Sequence, residues 1–117
     1  MILQRGMVIN VNLNPTLGSE TGKIRPCIIV TNNTFNERIP VIQVVPLTAW
    51  NEKKAKIKTN VVIEPTEENG LTKLSIADCL QTRPVDIQIR MEKIIGKISK
   101  EKMHIIDYAL KIVFALD

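Results

Sequence analysis

The 117-residue chain carries two cysteines, one histidine and four aromatic residues, and these scarcities close off several chemistries. Cys27 and Cys79 stand apart inside apolar segments, with none of the Cys-x-x-Cys or Cys/His spacing of a zinc site. Both read as small buried hydrophobes rather than as a disulfide. No apolar run approaches the roughly 20 residues that cross a bilayer, and the first residues lack the apolar core of a secretory signal. The expected compartment is therefore the cytoplasm, with no membrane partner. What is present is ordinary for a globular protein: 44% hydrophobic and 24% charged residues argue against a disordered or fibrous chain. A length of 117 residues suits one hydrophobic core, so a single domain over 1–117 is expected. Sixteen Lys and Arg against twelve Asp and Glu leave a net charge of +4, a modest excess that suits a polyanionic partner.

Period-2 alternation marks the first strand, over 6–13: Met7, Ile9, Val11 and Leu13 are apolar, with Asn10 and Asn12 between them. Residues 14–23 follow, a stretch of turn formers too long for a minimal hairpin and of the kind that carries function more often than it idles. Pro26 pushes Arg25 out of the helical region into extended backbone. Residues 27–31 then read as a buried strand, with a turn at Asn32-Asn33. Further strands are expected over 41–47, where Pro46 marks an end or an edge, and over 60–64, 74–80 and 93–98, with a brief helical turn over 86–91. At the C-terminus Ser99 suits an N-cap and Glu101 suits the positive end of the helix dipole. Met103, Ile106, Leu110, Val113 and Phe114 recur there at helical spacing. Short strands followed by one helix predict a mainly β fold with α, a small, partly open β-barrel with the helix packed on it.

Several pieces, in order, then become recognisable. Arg5-Gly6, Leu13-Asn14-Pro15-Thr16-Leu17-Gly18-Ser19-Glu20-Thr21-Gly22, Arg25-Pro26, Pro46-Leu47-Thr48 and Gln81-Thr82-Arg83 with Asp86 together resemble the MazF/PemK family of toxin endoribonucleases, and residues 93–98 resemble its closing strand. Each piece alone is weak; the ordered set spans essentially the whole chain. Met7 and Ile9 depart from the Asp and aromatic residue common there, and Ala49 stands where a Ser often follows the Thr. The resemblance implies an SH3-like barrel of short antiparallel strands and the toxin component of a type II toxin-antitoxin system. It also implies sequence-selective, metal-independent cleavage of single-stranded RNA, with mRNA as the target. The substrate's 2′-OH attacks the adjacent phosphate and leaves a 2′,3′-cyclic phosphate and a 5′-OH, without a cofactor. A homodimer with RNA in a groove across both subunits is implied as well, and so is a cognate antitoxin whose flexible acidic tail covers that groove.

Such a reaction asks a protein to hold near in-line geometry, to stabilise charge on the phosphoryl oxygens and to let protons leave and arrive. With the motif, Arg25 is the first catalytic candidate, because a guanidinium grips a phosphate oxygen with two hydrogen bonds and stays charged; without it, an Arg-Pro reads as a loop anchor. Thr48 is the second, a hydroxyl at a strand end able to donate to the developing oxyanion, with a plain β-branched strand residue as the bland alternative. Arginine is a poor proton acceptor, and Glu20 is chemically the better base where geometry allows it. The only histidine, His104, reads as an exposed or packed helix residue. For RNA binding, Leu17, Ser19 and Glu20 are candidates for base contacts, Lys23 for phosphate, and Asn32 and Gln81 for base edges. Trp50 either stacks a base or packs. The Lys53, Lys54, Lys56, Lys58 run is a solvated face or a phosphate track, and Arg83 binds RNA or braces a subunit contact.

Two rival readings belong to other classes. A CcdB-like toxin of similar fold poisons DNA gyrase by protein contact and cleaves nothing, and a non-catalytic barrel binds single-stranded nucleic acid; fold alone does not separate these from a nuclease.

Overall fold

In the computed structural model, which describes residues 2–117, the alternating N-terminal segment is β1 (Met7–Asn12). Met1, the first residue of the expected domain, lies outside the described residues. β1 pairs antiparallel with β2 (Ile24–Ile29), Val11 opposite Arg25, and on its other edge with β7 (Met91–Lys97). β2 pairs with β3 (Val41–Ala49), Cys27 opposite Pro46. β3 changes partner along its length: residues 41–44 pair with β6 (Arg83–Asp86), and residues 47–49 pair with β5 (Ser75–Asp78), which carries β4 (Asn60–Ile63) on its far edge. The result is an open seven-stranded sheet in the order β4, β5, β3, β2, β1, β7, with β6 on β3. The expectation of a mainly β, partly open architecture closed off by a C-terminal helix is borne out. That helix, α4 (Lys100–Phe114), starts at Ser99, whose Oγ accepts from the Lys102 N–H at 3.2 Å.

Burial explains the strand sequences. Val8, Ile28, Val45 and Leu47 pack with Met103, Ile106 and Ala109 of α4 on one face of the sheet. Ile9, Val11, Cys27, Ile29, Ile42, Val44 and Val85 form a second cluster on the other. Neighbours such as Val8 and Ile9, or Val44 and Val45, go to opposite clusters, as the alternation of a strand requires. Continuous apolar runs such as residues 27–29 arise because both faces are covered.

The differences from expectation have physical reasons. β3 runs on through Pro46 because that residue falls between the β6 segment, which ends at Val44, and the β5 segment, which begins at Leu47; on that side its missing N–H withdraws no ladder bond. β6 was not expected, since Pro84 reads as a breaker, yet a strand paired on one side only tolerates it. The strand expected over 74–80 gives way after Asp78 to a 3-10 turn, Cys79–Gln81. The helical turn expected over 86–91 is α3 (Ile87–Arg90). Two further single-turn helices are present, α1 (Asn33–Asn36), where a turn is expected at Asn32-Asn33, and α2 (Glu52–Ala55), in the polar run before β4. Asn32 and Asn51 cap them by accepting from Thr34 N at 2.9 Å and Lys54 N at 2.7 Å.

One close approach matters for the site. Gly70 has φ +70°, and a Cβ there would lie 2.0 Å from the Ile95 carbonyl; a Cβ on Gly96 would lie 2.4 Å from the Glu68 carbonyl. Only glycines let these two backbones touch. Lys97 N donates to Glu68 O at 3.0 Å, so the segment 66–73 is laid against β7.

Candidate active site

A cleft opens where β2 and β3 part company. The register that sets Cys27 opposite Pro46, continued by two residues, would set Arg25 opposite Thr48. There the strands diverge: Arg25 stays paired with Val11 of β1, while Thr48 turns away to pair with Ile76 of β5. A cavity of about 330 Å³ occupies the fork, lined by Arg25, Thr48, Asn10 and Ser75, and by Lys73 and Lys93 from the two segments that the glycines bring together.

Arg25 is half-buried, and its Nε donates to the Gly22 carbonyl at 2.8 Å. The guanidinium makes no other hydrogen bond and no ion pair among the described residues. Thr48 is 9% exposed, and its Oγ1 meets no hydrogen-bond partner there. Most buried hydroxyls are satisfied, and leaving one unmet costs about 1–3 kcal/mol, so the fold keeps an expensive donor on a residue that lines the same cavity as Arg25, whose guanidinium has N–H groups to spare. Lys73 and Lys93 are exposed and take no part in the ion pairs found among the described residues. Among the described residues no carboxylate or imidazole lines this cavity. Three uncompensated cations and the unmet Thr48 hydroxyl form a site for an anion with several oxygens, such as a phosphodiester. Behind Arg25, burial pushes the Cys27 thiol up to about 12 against the opposing charges of Arg83 and Arg25, so it remains an inert thiol. Among the described residues no group of three His, Cys, Asp or Glu side chains is placed to hold a metal ion.

The structure thus brings Arg25 and Thr48 together in one chain and distributes the other candidates around them. Leu17, Ser19 and Glu20 stand exposed at the tip of the loop 13–23. The Glu20 carboxylate accepts from Leu17 N at 2.8 Å, tied into the loop rather than lining the cavity as a base. Lys23 is exposed with a left-handed backbone, φ 69°. The Gln81 side chain accepts from Thr21 N and donates to Ser19 O, both at 3.2 Å, so its amide fastens the loop. Asn32 is the α1 cap, at the end of β2 away from Arg25. Arg83 donates to the Leu13 carbonyl at 3.0 Å. Trp50 is 41% exposed just past β3. Lys53, Lys56 and Lys58 are solvated and Lys54 is half-buried, while His104 lies exposed on α4, at a different cavity. Sequence reasoning missed Lys73 and Lys93, isolated lysines with no pattern of their own; Gly70 and Gly96 were the available signal that their segments approach.

Comparison with known proteins follows the same lines. Residues 4–114 match the family described as PemK-like, MazF-like toxin of type II toxin-antitoxin system. The chain is 35% identical over 116 residues to Endoribonuclease EndoA of Bacillus subtilis, covering 99% of this chain and 97% of that protein. Its fold matches MazF from Deinococcus radiodurans with a TM-score of 0.84 at 16% identity, over 99% of both chains. It also matches a mycobacterial endoribonuclease solved in complex with its cognate antitoxin, with a TM-score of 0.77 at 22% identity, over 98% of this chain and 97% of that one.

Proposed function

From the fact that the chain belongs to the PemK-like, MazF-like toxins of type II toxin-antitoxin systems, we propose that it is an endoribonuclease acting on single-stranded RNA through the fork between β2 and β3. Family membership also sets aside the reading as a CcdB-like gyrase poison. The observation that carries the site assignment is the unmet hydroxyl of Thr48 beside the uncompensated guanidinium of Arg25.

In this reading the scissile phosphate sits in the fork. The 2′-oxygen of the preceding ribose forms a bond to phosphorus, and the bond to the 5′-oxygen breaks. The nucleophile's proton is lost, and one is gained by the leaving oxygen, giving a 2′,3′-cyclic phosphate and a 5′-OH. Arg25 spans the non-bridging oxygens, where negative charge grows, and Thr48 donates to the same centre. With no carboxylate or imidazole on the cavity wall, the acceleration comes from geometry and charge stabilisation rather than from a strong protein base. Lys73 and Lys93 hold the flanking backbone, and Leu17 and Ser19 at the loop tip meet bases.

The reaction proceeds without metal or cofactor, in the cytoplasm, in a homodimer whose paired sites share one strand of RNA. A cognate antitoxin with a flexible acidic segment covers the basic fork. Among the described residues no helix is long and apolar enough to cross a membrane.

Purified protein incubated with mixed-sequence RNA in EDTA is the test. Defined fragments ending in cyclic phosphate are expected, and a single deoxyribose before the cut should block that cut. Cleavage that requires added magnesium, or that leaves 3′-OH ends, would overturn the mechanism.

A further inference from the structure

We propose that Arg83 and Arg90 are positioning residues that clamp the neck of the loop 13–23 and, through it, aim the guanidinium of Arg25. The inference rests on the proposed cleavage reaction for its kinetic readout only.

The pairing of β1 with β7 ends at Val11 and Met91, and beyond it β1 has no strand on that side. Arg90, the residue before Met91, takes the strand's place: its Nη1 donates to the Asn12 carbonyl at 3.0 Å and to the Asn14 carbonyl at 2.6 Å. Arg83, reaching from β6, donates to the Leu13 carbonyl between them at 3.0 Å. Three successive carbonyls are thus held by two guanidiniums, neither of which pairs with a carboxylate among the described residues.

The far side of the neck is tied to these same residues. Leu13 N donates to Lys23 O at 2.9 Å, and Lys23 N donates to the Asn14 side chain at 3.0 Å. Gly22 is wedged against that junction, where a Cβ would lie 2.6 Å from Thr16 Oγ1 and 2.7 Å from Asn14 Oδ1. The Gly22 carbonyl is the one acceptor of the Arg25 guanidinium among the described residues. A shift at Asn12–Asn14 therefore passes through Asn14 and Gly22 to the reacting end of Arg25. Displacements of about 1 Å at such a group cost on the order of a hundredfold in rate.

The test compares wild type with Arg83→Met and Arg90→Met by amide hydrogen exchange and by RNA cleavage kinetics. Exchange across 13–23 should accelerate at least about tenfold while α4 keeps its protection, which certifies the fold. The kcat should fall about ten- to a hundredfold with KM within about twofold and the salt dependence unchanged. In an Arg25→Lys background, Arg90→Met should cost less than it does alone, because both act through one group. Unchanged loop exchange overturns the clamp. A raised KM with a salt slope shallower by about one per arginine overturns it in favour of direct phosphate contact. A wild-type protein that cuts no RNA would overturn the cleavage reading, and the exchange result then decides the clamp alone.

Discussion

Arg5 and Arg25 stand beside two different cavities and have opposite surroundings. Arg5 lines the larger, about 550 Å³, together with Lys97, Lys100 and His104, but Asp107 and Glu68 line it too. Its guanidinium pairs with Asp107 through both terminal nitrogens and donates through Nε to the Val30 carbonyl at 2.9 Å. Every nitrogen is thereby spent on fastening α4 to the start of the chain and the end of β2. Arg25 lines the smaller cavity, about 330 Å³, and its guanidinium gives one hydrogen bond, to a backbone carbonyl, and meets no acid among the described residues. Volume and cationic residues are common to both places. What separates a site from a joint is charge left uncompensated and a donor left unmet.

The strongest test of that contrast is Arg25→Ala, which should lower RNA cleavage by at least about 10²–10³-fold with the thermal midpoint nearly unchanged; cleavage at the wild-type rate would remove Arg25 from the mechanism. Thr48→Val should separate the two kinds of cost more sharply. It keeps the shape and deletes the orphan hydroxyl, so cleavage should fall by about tenfold or more while urea melts show a protein as stable as wild type or more stable by up to about 1–3 kcal/mol. A destabilised variant would mean that the hydroxyl has a partner in the fold. At the other arginine the signs reverse: with side chains 32% and 37% exposed, loss of the pair in Arg5→Met should cost about 1 kcal/mol of stability and leave cleavage per folded molecule intact. A drop in kcat there would erase the distinction between the two clefts.

The smallest effect belongs to the joint side as well. The Glu64 carboxyl is held below its ordinary value first by its backbone hydrogen bond and then by the Lys102 ammonium, 3.1 Å away. Its folded value is lower than its unfolded one, so its contribution is present above the ordinary carboxylate range and is lost as pH falls through the folded value. The stability gap between wild type and Glu64→Gln should therefore be largest near neutrality and close on acidification, as read by denaturant melts across that range. A gap that widens in acid would reverse the sign.

Much of this was open to reading along the chain, and the exceptions share a cause. The alternation at Met7, Ile9, Val11 and Leu13 gave β1, and Ser99 with its apolar spacing gave α4, because each signal is local. β6 was hidden by Pro84, whose tolerance depends on lying at an edge, and edges are defined by partners. Asn32 and Gln81 drew attention as amides suited to base edges, yet the fold commits one to a cap and the other to a loop fastening. Lys73 and Lys93 were invisible because two glycines far apart in the chain, Gly70 and Gly96, bring their segments together.

By itself the amino-acid order determined the strands and helix, a basic chain without metal-ligand spacing, and the motif containing Arg25 and Thr48. Only the tertiary structure decided that these two residues line one fork, that no acid among the described residues neutralises it and that two distant lysines join them. The physical reason is range: propensity, alternation and capping act over a few residues, whereas strand register, charge compensation and a hydroxyl's missing partner exist only once remote segments have packed.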